Sequence, residues 1–299
     1  MKIARCIVFL FFMTAGLSLL SAQNPYNVLP RTDWENMTVL DSAYMRVQYE
    51  MSFRMAVAAY TQEELDKIEF TEDKYLTDKR IIEIGDEVRK DYSGYLEAAD
   101  LRNRQWEEEG KPLYTSFEGN GNVYPFEVFM FNDGRIRTNS RTLATGPILQ
   151  WEEEAPEMQW SLSDGRDTVL GYPCMEASLE FAGRSYTAWF SPDIPVPYGP
   201  YKFGGLPGLI LKIGDDSGHY TWEATGIEQG SWPIYEKEYM FQKASREKSR
   251  KVLENMYKGP YAFLVSVGVN FMIRNKDGSF SKATAENDVI MYYDPIELE

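Results

Sequence analysis

Histidine is nearly missing from this chain, with His219 alone among 299 residues. Zinc hydrolases draw several ligands from His, Cys and carboxylates, and no common zinc spacing occurs here, so no metal centre is expected. Any Ser–His or Cys–His nucleophile pair would have to use that one imidazole. Cysteine is almost as scarce: Cys6 and Cys174 are the only two. Positive charge is also short, with 31 Lys and Arg against 46 Asp and Glu and a net charge of −15. Nucleic acid and anionic headgroups recruit Lys and Arg, so such an acidic chain repels both. Phosphate-binding loops, dinucleotide fingerprints and nucleophile elbows are absent, and no cofactor is expected.

Long apolar runs are missing too, apart from Ile7–Leu20. Lys2 and Arg5 precede that run and Leu20-Ser21-Ala22 follows it, which predicts a signal peptide over 1–22 and a mature start near Gln23. The run is too short for a membrane span, and no transmembrane segment is expected in the mature chain. Cys6 lies before the apolar core and not at the cleavage point, so the protein is not expected to be a lipoprotein. Losing Lys2 and Arg5 removes two positive charges and takes the net charge to −17. Cys174 is then the only thiol and cannot form an internal disulfide, leaving stability to packing. These features predict a soluble protein of the periplasm or exterior of a Gram-negative-type envelope.

What is present reads mainly as β-structure. Residues 23–38 are polar and broken by Pro25 and Pro30, and predict a flexible arm. Tyr44–Val57 alternates, with Val47, Tyr49, Met51, Phe53 and Met55 facing one way and Arg46, Gln48, Glu50, Ser52 and Arg54 the other. That is a sheet covered on one side, its methionines being core filler and not copper ligands. A charged loop with a helical turn over 61–79 leads to a short strand at Ile81–Ile84. Asp91–Glu109 has helical composition, with Leu96, Ala99 and Leu101 as its apolar stripe.

Asn132-Asp133-Gly134 joins Val123–Phe131 to Arg135–Leu143 as a hairpin. Short strands follow at Ile148–Glu153 and Met158–Leu162, with a turn at Ser163-Asp164-Gly165. A turn at Gly183-Arg184 sets Phe181 against Tyr186, Leu179 against Ala188 and Ala177 against Phe190. Cys174 then shares the polar face with Glu176 and Glu180 unless a bulge intervenes. Pro207 and Gly208 fit the central positions of a type II turn, with Gly208 at positive φ. After it Leu209, Leu211 and Ile213 face one way, Ile210 and Lys212 the other. Gly214–Gly218 reads as a turn, His219–Ile227 as a strand, Phe241–Tyr257 as a second helix, Tyr261–Ile273 as strand or buried segment, and Asp288–Tyr293 as the last strand. The expected fold is a mainly β, α+β domain over 39–299: a strongly curved antiparallel sheet or half-open barrel with one or two helices.

At Ala188-Trp189-Phe190-Ser191-Pro192-Asp193-Ile194-Pro195, then Gly199-Pro200 and Gly205-Leu206-Pro207-Gly208-Leu209-Ile210, the chain resembles the GLPGLI family of exported bacterial proteins. Gly171-Tyr172-Pro173-Cys174, Tyr49-Glu50-Met51 and Tyr293-Asp294-Pro295-Ile296-Glu297-Leu298 extend the resemblance. It implies envelope localisation and one β-rich domain. The family has no assigned activity and supplies no catalytic residues.

The leading expectation is a non-catalytic domain that binds a small apolar ligand or an envelope protein, on its aromatic concave side or its Pro/Gly loop. Trp189, Asp193, Tyr198, Lys202, Phe203, Gly204 and Gly205 are the candidate ligand-binding residues. One alternative is a hydrolase in which Cys174, His219 or a pair of carboxylates converge. Another is an accessory component of an outer-membrane transport or secretion assembly. A hard-ion site at Asp215-Asp216 is weighed against ordinary turn chemistry, which fits better.

Overall fold

Two long strands set the frame. In the computed structural model, β1 (Thr38–Arg54) and β12 (Tyr220–Glu236) pair antiparallel over 17 residues each. The structure describes residues 37–54, 58–59, 61–69, 75–111, 123–144, 146–274 and 278–299. The expected leader, the expected arm up to residue 36, and Met55 and Val57 of the first expected strand lie outside the described residues.

After β1 come β2 (Ala58–Ala59), α1 (Gln62–Asp66), β3 (Tyr75–Ile84), β4 (Val88–Ser93), α2 (Gly94–Glu108), β5 (Phe126–Phe131), β6 (Arg135–Arg141) and β7 (Ile148–Glu154). Then follow β8 (Ser161–Val169), β9 (Tyr172–Phe181), β10 (Arg184–Ser191) and β11 (Leu209–Asp215), with β12 closing the second half of the sheet. The chain ends with β13 (Phe241–Lys243), α3 (Arg246–Lys258), α4 (Pro260–Ser266), β14 (Met272–Arg274), β15 (Phe280–Lys282) and β16 (Ile290–Met291). Twelve strands make one sheet in the order β13-β7-β6-β5-β4-β3-β1-β12-β11-β10-β9-β8. Its two end strands do not pair, so the sheet is not closed into a barrel. Every neighbouring pair is antiparallel except β13 with β7.

The alternation of β1 is realised: Val47, Tyr49, Met51 and Phe53 are buried, and Arg46, Gln48 and Ser52 are half-exposed. Trp222, Tyr186, Phe190, Ile210 and Phe203 join them in the largest core cluster. The same face carries charge that sequence reading missed. Register places Asp78 beside Met51 and Arg80 beside Tyr49, and Asp91 follows opposite Ile82. All three are buried. They serve the backbone of two covering loops. Asp78 accepts from the Tyr124 N–H at 3.0 Å, and Asp91 from the Tyr201 N–H at 2.7 Å. Arg80 donates to the Tyr124 and Phe126 carbonyls at 2.9 and 2.8 Å. A buried peptide group left without a partner costs about 1–3 kcal/mol, so the charged row is what lets loops lie on an apolar sheet.

Several boundaries differ from expectation for local reasons. Asp91–Ser93 finish β4, and α2 starts only after Ser93, whose hydroxyl accepts from the Leu96 N–H as an N-cap. Leu96 and Ala99 are buried, but Leu101 is exposed because its side of the helix faces away from the sheet. Ser163-Asp164-Gly165 is not a turn: it is the unpaired bulge inside β8 between Leu162 and Arg166, and the turn comes at Leu170-Gly171. The β9–β10 turn is Ala182-Gly183, so Phe181 pairs with Arg184 and Tyr186 with Leu179. Leu179, Ala177, Tyr186, Ala188 and Phe190 nonetheless stay on the buried side, as a two-residue period requires. A register shift skips Leu211, so Leu209, Ile210 and Leu211 are all buried. Phe241–Lys243 pairs with β7, which delays the second long helix to Arg246. Tyr261–Ile273 is helix as far as Ser266, started by Pro260 at its first position, where a missing N–H costs nothing, and reaches strand only at Met272.

Candidate functional site

The passage between β10 and β11, residues 192–208, folds back over the covered face. Within it positive φ falls at Tyr201, +55°, and at Gly205, whose φ of +88° suits glycine, and not at Gly208 as the type II reading had it. Gly208 is needed for space, since a β-carbon there would fall on the Ser191 carbonyl. The passage is then fastened along its length. The Gly205 N–H donates to the Pro197 carbonyl at 2.9 Å, and Tyr49 donates its hydroxyl to the Ile210 carbonyl at 2.6 Å.

The seven candidate residues are spread through this fastening. Phe203 is fully buried among the rings of Phe181, Tyr186, Tyr201 and Trp222. Lys202 is buried with its ammonium 2.6 Å from Glu153 and 2.7 Å from Glu297. Gly204 accepts from the Trp160 indole N–H at 2.8 Å, and the Arg89 guanidinium lies 4.6 Å from the centre of the Tyr198 ring. Trp189 is half-buried and sits between the buried Ala188 and Phe190, while Asp193 and Gly205 are exposed. Lys202, Phe203 and Gly204 are thus brought together, as parts of a packed interior. Burial acts to raise the Glu297 carboxyl, but Lys202 and Arg246 outweigh it and the net shift is downward. Tyr201 is pushed well above its ordinary range by burial and by Glu297.

Cys174 and His219 are not brought together. Cys174 is buried in the core and not on the polar face, and burial pushes its thiol up, away from the thiolate a nucleophile needs. Leu179 pairs with Tyr186, and Tyr186 with Asp215, near His219; Cys174 lies five residues further along β9, about 16 Å away. His219 places Nδ1 2.6 Å from an Asp294 oxygen and 3.1 Å from the Arg184 guanidinium. Arg184 also pairs with Asp215 and Asp294 and donates to the Ile296 carbonyl at 3.0 Å. Ser217, in the same turn, gives its hydroxyl to Asp215 and not to the imidazole. This cluster ties the final segment of the chain to the sheet. Among the described residues no group of three His, Cys, Asp or Glu is arranged to hold a metal ion, and Asp216 accepts from Thr187 instead.

Open space lies beside residues 290–293. A cavity of about 560 Å³ is bounded by Gln62, Leu65, Asp66 and Ile68 of α1 and its exit, by Glu254, Tyr257 and Lys258 of α3, by Ile290 to Tyr293, and by Arg54 at the end of β1. Tyr257 and Tyr293 stack with ring centres 4.6 Å apart and planes at 18°. Arg54 donates to the Tyr292 hydroxyl at 3.1 Å, and Asp294, which follows Tyr293, is held by His219 and Arg184. These walls carry a partial signal in the sequence: Gln62, Leu65 and Asp66, and Glu254, Tyr257 and Lys258, each fall at i, i+3, i+4 on one helix face. Nothing in the sequence says that the two faces meet.

Residues 175–212 match the model of a family described as Protein of unknown function (Porph_ging). The match runs from β9 through the fastened passage into β11, so it covers the clasp and not the cavity. No curated protein matches the chain. Solved structures of PNGF-II in the P21 and C2 space groups are similar to it, each at TM-score 0.46 and 12% identity over 71% of this chain. The match spans about a third of those chains, 33% and 32%. No described helix is long and apolar enough to cross a membrane.

Proposed function

We propose that the chain is an exported cell-envelope domain that binds a small ligand without transforming it, in the cavity between α1, α3 and residues 290–293. The observation that carries this reading is the cavity itself. Its 560 Å³ falls within the roughly 300–1,000 Å³ typical of small-molecule sites, and its walls combine aromatic, aliphatic and polar groups. The reading places the domain in the periplasm or outside the cell after removal of residues 1–22, with the open sheet curved around residues 192–208. That passage acts as structural clasp and the ligand sits elsewhere. Separation of Cys174 from His219 supports binding over nucleophilic catalysis.

Native mass spectrometry of the protein taken gently from its own envelope tests this. A monomer carrying a small-molecule adduct that leaves on collisional activation is expected. A bare monomer, or a complex held only by another protein, would count against it. N-terminal sequencing of the same sample should start near Gln23.

A further inference from the structure

The chemistry of the cavity wall narrows what it would hold. Its charged members are Arg54 and Lys258 against Asp66 and Glu254, a neutral set in a chain of net charge −15. Asp66 already accepts from the Gln62 amide at 2.7 Å, and Glu254 lies 3.2 Å from Lys251. A diphosphate or triphosphate would find no excess of cations, since phosphate sites are built from several Lys, Arg or backbone N–H groups. An acyl chain would meet the opposite difficulty. It would strip water from four charged groups and an amide while returning no hydrogen bond.

A ligand that suits both halves of the wall has C–H faces to lay on rings and a rim of neutral hydroxyls that donate and accept. Tyr257 and Tyr293 stack on each other, Tyr257 being buried, so the half-buried Tyr293 is the ring left to the cavity, and Leu65, Ile290 and Met291 extend the apolar part. Around these tyrosines Gln62 provides a donor and an acceptor, Lys258 a donor, and Asp66 and Glu254 acceptors. Such amphipathic rings take contact area at low entropic cost. We propose that the cavity recognises a saccharide, one or two sugar rings lying against Tyr293 with their hydroxyls toward Gln62, Asp66 and Lys258. This rests on the cavity being the ligand site.

Saturation-transfer difference NMR on the mature chain tests it. The probes are a hexose, an N-acetylhexosamine, a uronic acid and a pentose, each as the free sugar and as a disaccharide, with methylenediphosphonate, a pyrophosphate analogue that carries C–H protons, and octanoate as contrasting ligands. Saturation should reach the ring C–H protons of at least one sugar at millimolar concentration. Gln62→Ala, an exposed change outside the core, should weaken that sugar about tenfold, the value of one lost hydrogen bond. Tyr293→Leu should weaken it similarly by removing the ring. Binding of methylenediphosphonate or octanoate in a Gln62-dependent way, with no sugar bound, overturns the saccharide assignment and leaves the cavity as a ligand site. Sugar binding that ignores both substitutions overturns the assignment to this cavity. No binding by any sugar or contrasting probe overturns the saccharide reading, and the envelope-extracted adduct then decides separately whether the cavity holds a ligand at all.

Discussion

Replacing Lys202 by methionine isolates the electrostatic part of the clasp. The thioether keeps most of the aliphatic stem, so packing changes little and the ammonium is what disappears. That ammonium is 2.6 Å from Glu153 and 2.7 Å from Glu297, on a side chain only 2% exposed. Removing one member of a buried ion pair costs about 3–5 kcal/mol, chiefly because the stranded charge keeps its desolvation penalty. Arg246 remains 2.6 Å from Glu297 and 3.3 Å from Glu153, which argues for the lower end, about 3 kcal/mol. For a domain of this size that corresponds to a fall in Tm of about 6–12 °C. Urea unfolding followed by tryptophan fluorescence reads it as a lower midpoint at unchanged slope. Adding Glu297→Gln should return part of the loss, since one stranded carboxylate is then neutral. A loss below about 1 kcal/mol, or no rescue in the double variant, would refute the view that these charges hold the passage down.

Two glycines of the passage should differ in kind. Gly205→Ala meets only backbone strain, about 1–2 kcal/mol, because space for a methyl exists there, whereas Gly208→Ala must push two backbone segments apart and should cost more; chemical denaturation of both variants ranks them. Acid behaviour has two opposing parts. Burial raises the Asp78 carboxyl from 3.8 to about 6 despite Arg80, so its contribution to stability is full below 3.8 and lost as pH rises through about 6. Wild type should therefore gain on Asp78→Asn as pH falls from 7 to 4. Glu97 goes the other way: burial opposes its charge, but Lys237 and Lys90 prevail and lower it from 4.5 to about 2. Its contribution is present above 4.5 and lost as pH falls through about 2, so Glu97→Gln should flatten the acid limb of a stability-against-pH curve. Cys174 should resist a thiol reagent in the native state and react only on unfolding, at a rate that tracks denaturant; fast native labelling would contradict its place in the core.

Much of the fold was legible because it follows from a two-residue period. Val47, Tyr49, Met51 and Phe53 announced a one-sided sheet, and Asp133-Gly134 announced a hairpin. The strands β5, β6, β7, β9 and β10 lie close to their expected positions for the same reason. What period cannot show is an interruption. The β8 bulge, the skipped Leu211 and the buried Cys174 each break alternation through pairing with another strand, and that information is not local. Phe241–Lys243 looked helical because its only strand-like quality is the partner that β7 offers it.

The charged row was half visible. Asp78 and Arg80 are in phase with Ile82 and Ile84, and a charge in phase with a core face is a signal of buried pairing, though it does not say which loop will be served. The motif stretch stood out because glycine and proline punctuate it, and those residues close a clasp. The cavity was not legible, since its walls come from residues 54, 62–68, 254–258 and 290–293, which only the finished fold brings together.

Amide hydrogen exchange on the mature protein, with and without a small-molecule extract of its own envelope, tests most directly where a ligand sits. The account predicts added protection confined to 62–68, 254–258 and 290–293, with 198–208 already slow to exchange and unchanged. Protection appearing at 193–208, or nowhere, would contradict it.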